Sequence, residues 1–198
     1  MVGYERYEKM TSEQYDKKTL MFYLCRTPAN RNLIPAIRSI ENKKILDVGL
    51  GSGSYTRYLI EKNDVTGIDQ NPHLCKLPIK VHKGDACELS KLTGEEKFDI
   101  VLSTWMTDYL NEENLTKFFA EAKAVLNNSG KLMATVPNTY GFGLIYVTAA
   151  KIIRGVNKYT YTKKKVTKIL NTLGFKDVKF VNLNSWIFPW AYLVIAEV

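Results

Sequence analysis

The stretch that most constrains this chain is KILDVGLGSGSYTRYL, residues 44–59, in which a short apolar run breaks into alternating glycines before a helical spacing resumes. A strand, a glycine turn and a helix in that order place backbone amides at the carboxyl edge of a parallel sheet, where open α/β folds bind their ligands. Gly49, Gly51 and Gly53 have no β-carbon to hold a ligand off the backbone, so they are the expected contact surface. Asp69 ends the next apolar run, 20 residues after Gly49, where a carboxylate accepts hydrogen bonds from ribose hydroxyls. To this point NAD and other adenosine ligands fit equally. The glycine spacing separates them in part: a dinucleotide fingerprint reads GxGxxG, whereas here the run is GxGxG and position 54 is serine. Asp47, just ahead of the loop, would repel a pyrophosphate and attract an ammonium or sulfonium cation.

Beyond the loop, VTGID, IKVHKGD, FDIVLST and KLMATV read as further strands. Before the last of them, NEENLTKFFAEAKAVLNN reads as a helix with Leu115, Phe118, Phe119, Ala122 and Leu126 on one face, begun at Asn111 and ended by Gly130. Short apolar strands separated by helices predict a mostly parallel sheet covered on both faces. KKKVTKILNTLGF then reads as a helix, and DVKFVNL and AYLVIAEV, joined by NSWIFPW, predict antiparallel neighbours. Residues 1–42 form a tyrosine-rich helical lead-in whose Leu33, Ile37 and Ile40 pack on the sheet-forming part of the chain. A chain of 198 residues with 45% hydrophobic content suits a single domain over 1–198 that buries roughly 70% of its unfolded surface. Cys25, Cys75 and Cys87 are too scattered for a disulfide framework or a zinc knuckle, and no metal is expected. The charged N-terminus lacks a signal-peptide core and no run reaches roughly 18 apolar residues, so a cytoplasmic protein is expected.

Taken in order, ILDVGLGSGSYTRYL, VTGID, KGDA, FDIVLSTWMTDYL and VLNNSGKLMATVPN resemble a class I S-adenosylmethionine-dependent methyltransferase of the small-molecule or quinone type, over about residues 43–198. The resemblance implies a Rossmann-like, doubly wound α/β fold: a mostly parallel seven-stranded sheet with an antiparallel C-terminal strand and a helical cap at 139–160. It implies that the glycine loop lies against the methionine part of S-adenosylmethionine, with Asp47 supporting the loop and the amino group. By the same resemblance Asp69 and Gln70 serve the ribose end, Asp85 with Ala86 meets the adenine amino group, and Ser103 lines the cofactor. The implied reaction moves a methyl group to an oxygen or nitrogen of a small-molecule, lipid-like or isoprenoid-linked acceptor.

Displacement at a sulfonium asks mainly for alignment, which contributes roughly 7–11 kcal/mol, and needs a base only if the nucleophile arrives protonated. Asp108, Tyr7 and Tyr15 are the candidates for that base, with a helix cap as the competing role for Asp108. Tyr4, Trp105, Tyr140 and Tyr146 are candidates for the acceptor wall, while His82 alternates within a strand and reads as a packed or surface residue. No [DN]PP[YF] run follows the fourth strand, which counts against a flipped-base substrate, and no DNA partner is expected. In the cap, Phe142, Ile145, Ile152 and Val156 share an apolar stripe, with Lys151, Arg154 and Lys158 on another. Such a basic amphipathic helix packs on the core, covers a substrate or rests on a membrane surface. Lys163, Lys164 and Lys165 fall in the first turn of the next helix, where cations oppose the helix dipole, and they suggest an anionic partner nearby. The net charge of +8 also leaves an RNA or protein methyltransferase open. A nicotinamide-dependent oxidoreductase and a non-enzymatic cofactor-binding module are the remaining alternatives.

Overall fold

Alternation of apolar side chains along the strands sorts the core into two layers in the computed structural model, which describes Thr11, Glu13 and residues 26–140, 142–184 and 189–198. In β1 (Lys44–Val48), Leu46 and Val48 join one layer and Ile45 the other; in β4 (Phe98–Ser103), Val101 opposes Ile100 and Leu102 in the same way. The remaining strands are β2 (Asp64–Asp69), β3 (Lys80–Lys83), β5 (Leu126–Pro137), β6 (Lys176–Asn184) and β7 (Pro189–Glu197). They form one seven-stranded sheet in the order β3-β2-β1-β4-β5-β7-β6. Pairings are parallel from β3 to β5, whereas β7 runs antiparallel to both β5 and β6. The doubly wound sheet with its reversed C-terminal strand is therefore present.

Among the described residues five helices flank it: α1 (Thr27–Arg38), α2 (Leu89–Thr93), α3 (Glu112–Val125), α4 (Phe142–Arg154) and α5 (Lys163–Thr172). Leu33 and Ile37 of α1 fill the layer containing Ile45 and Leu193. Phe118 and Phe119 of α3 pack opposite, with Val166 and Leu170 of α5, and each fully buried side chain of this size stabilises the fold by roughly 1.5–3 kcal/mol. Asn111 caps α3 by accepting a hydrogen bond from Asn114 N at 2.9 Å, and Gly174, at φ +78°, stops α5.

Three elements differ from the sequence-based expectation. YTRYLIEK forms successive tight turns, with Tyr58 N bonded to Tyr55 O and Leu59 N to Thr56 O, and not a regular helix. The Thr56 hydroxyl donates to the buried Asp47 carboxylate at 2.7 Å, which draws the segment down onto β1 and favours the tighter i to i+3 pattern. α3 stops at Val125, and Gly130 lies inside β5, because Leu126 already pairs with Phe98. α4 contacts the sheet through β7, so the expected apolar stripe is split: Val156 is buried, as is Ala150 beside the stripe, but Ile145 and Ile152 are 59% and 78% exposed.

The lysines at the start of α5 also find partners within the chain. Lys163 Nζ donates to Asn182 Oδ1 and Lys165 Nζ pairs with Glu112, both at 2.6 Å, while Lys164 is exposed. Two of the three cations thought to await an anionic partner are therefore held internally.

Candidate active site

Strand order reverses between β1 and β4, and a cavity of about 490 Å³ opens at the carboxyl ends of the strands there, a size typical of small-molecule sites. Gly49 and Gly51 line it at φ +71° and +56°, a region that only glycine occupies without strain. A β-carbon on Gly49 would lie 2.4 Å from Met106 Cγ, so this glycine also lets the loop pack against the turn leaving β4. Gly53 is not part of the wall. A β-carbon there would meet Leu77 Cδ1 at 2.5 Å, which makes Gly53 a packing position in place of the expected ligand contact.

Asp69 lines the cavity and braces the loop together. Its Oδ2 accepts from Gly51 N at 2.9 Å and its Oδ1 from Asn71 N at 2.7 Å. An ionised carboxylate has about four acceptor directions, so lone pairs remain for ligand hydroxyls. Gln70, Asp85 and Ala86 continue the same wall: Asp85 Oδ2 accepts from Gln70 Nε2 at 3.0 Å and Oδ1 from Cys87 N at 2.8 Å. Cys87 shares this wall, but burial and then the Asp85 charge push its thiol up to about 12, so it is neutral and no nucleophile.

Other predicted residues fall outside the wall. Ser103 is fully buried and its Oγ donates to Val48 O at 3.0 Å, tying β4 to β1, and it is not among the residues that line the cavity. Asp108 sits in the turn Thr107–Tyr109 behind the wall, its Oδ2 held by Lys158 Nζ at 2.8 Å. That ion pair makes it an anchor in place of the expected base, and the cap of α3 is Asn111 instead. Tyr140 is 69% exposed and away from the cavity. Tyr4, Tyr7, Tyr15 and the side chain of Tyr146 lie outside the described residues.

Trp105 does line the cavity, at φ +58°, a left-handed conformation costly for a bulky side chain. Its neighbours hold it there: its N donates to Thr135 Oγ1 at 2.6 Å, Nε1 donates to Tyr55 OH at 2.8 Å, and Trp190 stacks at 4.9 Å between centroids. Wall residues that sequence patterns did not mark include Met106, Tyr109, Asn114, Asn157 and Tyr159. The first two belong to the STWMTDYL segment that already stood out, whereas Asn157 and Tyr159 lie in irregular chain with no periodicity to mark them.

Asp47 lies beneath the loop and is fully buried, with its Oδ1 lacking a hydrogen-bond partner among the described residues. Burial raises its pKa to about 7, opposed by the Thr56 hydrogen bond and reinforced by the charge of Asp69. Because the folded state holds this proton more tightly than the unfolded chain, stability falls as pH rises from about 4 to 7 and levels off above, by at most about 4 kcal/mol. Urea unfolding of wild type and Asp47→Asn across this range is expected to show that slope in the former and its loss in the latter.

These residues fit a ligand with a cationic amino-acid end and a ribose: an unpaired buried carboxylate oxygen under the loop, a glycine backbone open to close approach, and Asp69 with acceptor capacity at the cavity. The architecture is the class I S-adenosylmethionine-dependent methyltransferase fold. Residues 46–134 match the family model described as a methyltransferase domain. Over 150 residues the chain is 30% identical to the ubiquinone biosynthesis O-methyltransferase of Hydrogenovibrio crunogenus, covering 70% of this chain and 61% of that relative. The chain thus spans about three fifths of the length of that curated relative. Among solved structures, a SAM-dependent methyltransferase from Archaeoglobus fulgidus superposes with a TM-score of 0.67 at 21% identity, over 85% of this chain and 91% of the other. The magnesium protoporphyrin IX methyltransferase of Synechocystis PCC 6803, with bound SAH, superposes at 0.69 and 13% identity, over 98% and 91%.

Proposed function

We propose that this chain is an S-adenosylmethionine-dependent methyltransferase acting on an oxygen or nitrogen of a small, largely apolar acceptor, such as a lipid-like or isoprenoid-linked ring. The observation that carries the proposal is the cavity at the β1/β4 crossover, where Asp69 and the glycine loop share one wall. S-adenosylmethionine, when bound, supplies an electrophilic methyl group on a sulfonium centre. The loop backbone at Gly49 and Gly51 admits the amino-acid end, above the Asp47 carboxylate. Asp69 accepts from ribose hydroxyls, and Gln70, Asp85 and Ala86 border the adenine. The other wall, with Met106, Tyr109, Leu110, Val156 and Tyr159, is apolar and aromatic, and suits a ring-bearing acceptor. Its work is to align the acceptor and keep water from the reacting atoms. The similarity to an O-methyltransferase of ubiquinone biosynthesis supports an acceptor of this kind.

The test is transfer of labelled methyl groups from S-adenosylmethionine into a cell extract separated into lipid, small-molecule, RNA and protein pools. Label in the lipid or small-molecule pool is expected; label confined to RNA or protein would overturn the acceptor class.

A second feature supports work by a cytoplasmic protein at a membrane surface. Residues 139–176 contain eight lysines or arginines and no acid, which equals the net charge of the whole chain, +8. Leu144, Ile145 and Ile152 are exposed apolar side chains on α4, and Lys151, Lys164 and Lys168 are exposed cations. Among the described residues no helix is long and apolar enough to cross a membrane. Co-sedimentation is expected with vesicles containing phosphatidylglycerol and not with pure phosphatidylcholine. Retention by both, or by neither, would contradict this reading.

A further inference from the structure

Residues 155–161, which return from α4, cross the turn that leaves β4, and a buried ion pair joins the two. Lys158 Nζ lies 2.8 Å from Asp108 Oδ2, with the side chains 7% and 3% exposed. The same ammonium group lies 2.8 Å from the ring centroid of Tyr109. Two hydrogen bonds run alongside: Tyr159 N donates to Asp108 O at 2.8 Å, and the Tyr161 side-chain hydroxyl donates to Leu110 O at 2.6 Å. On the cavity side the return segment supplies Val156, Asn157 and Tyr159, while the turn supplies Met106, Tyr109 and Leu110. One buried contact therefore lies behind both halves of the wall that faces the acceptor. The cofactor wall, by contrast, is built from the ends of β1, β2 and β3 and involves neither charge.

A buried ion pair is a poor source of stability, because desolvating two charges offsets most of their attraction. It does discriminate between geometries, since any slip of one segment past the other strands a charge in the interior. An apolar pair in the same space would hold the segments together without selecting one register.

We infer that Lys158 is a positioning residue: with Asp108 it forms a clasp that fixes residues 155–161 against the turn leaving β4, and so shapes the acceptor side of the cavity. The inference rests on the reading of the cavity as an S-adenosylmethionine site. A ligand filling the cavity presses on both walls, and the clasp carries that contact into the return segment. The double variant Asp108→Leu/Lys158→Met removes both charges without leaving either one buried alone, and separates positioning from mere stability.

The experiment is amide hydrogen exchange with and without S-adenosylhomocysteine, in wild type and in the double variant. In wild type, S-adenosylhomocysteine is expected to slow exchange at Gly51, whose amide bonds to Asp69, and at Tyr159, whose amide bonds to Asp108 O, by about tenfold or more. In the double variant Gly51 is expected to remain protected while the ligand-dependent increment at Tyr159 falls to less than about threefold, with the melting temperature retained. A double variant that keeps the increment at Tyr159 would overturn the clasp, as would a wild type protected at Gly51 with no change at Tyr159. A wild type with no protection at Gly51 would instead overturn the cofactor reading, and the inference with it.

Discussion

Replacing Asp69 by alanine is expected to weaken S-adenosylhomocysteine binding by at least about 100-fold, read by titration calorimetry. Two effects combine. The carboxylate holds the loop by accepting from Gly51 N and Asn71 N, and it offers its remaining acceptor capacity to the ligand. Hydrogen bonds to a charged group contribute about 1.5–3 kcal/mol each, so loss of two toward a ribose corresponds to roughly 3–6 kcal/mol. Asp69→Asn keeps an acceptor oxygen and is expected to lose less. Equal, small losses in both variants would mean that Asp69 only braces the loop.

Replacing Lys158 alone by methionine is expected to destabilise the fold by about 3–5 kcal/mol, because Asp108 is left buried without its cation. Adding Asp108→Leu to that variant is expected to recover most of the loss, since a well-packed apolar pair in place of a buried ion pair is often neutral or stabilising. Urea denaturation of wild type, the single variant and the double variant measures both steps. If Lys158→Met costs less than about 1 kcal/mol, water reaches Asp108 and the pair is not buried in the energetic sense.

The parts of the site that were legible in the chain are those set by backbone requirements. Glycines at φ +71° and +56° and an acid at the end of β2 are local needs of a loop at a strand edge, so Gly49, Gly51 and Asp69 were readable from spacing alone. The sheet covered on both faces was readable from short apolar strands separated by helices, and the two core layers match it. What was not legible depends on partners far along the chain. Ser103 has the position of a cofactor contact, but its hydroxyl is spent on Val48 O; Asp108 has the position of a base, but Lys158, 50 residues later, holds it. The cap shows the limit of helical periodicity: the spacing of Ile145 and Ile152 defines a common stripe, but only the neighbouring β7 determines which side of α4 is covered. Gly53 carries a related lesson, since its positive φ marks a tight turn without saying whether a ligand or Leu77 fills the space beside it.

The central claim, that this cavity takes the methionine-linked nucleoside and not a dinucleotide, is tested most directly by unfolding the protein in the presence of S-adenosylhomocysteine or NAD. A ligand that binds only the folded state adds about 2.7 kcal/mol of stability at one hundred times its Kd. The account predicts saturable stabilisation of that order by S-adenosylhomocysteine, reduced in Asp69→Ala, and none by NAD. Stabilisation by NAD with no response to S-adenosylhomocysteine would contradict it.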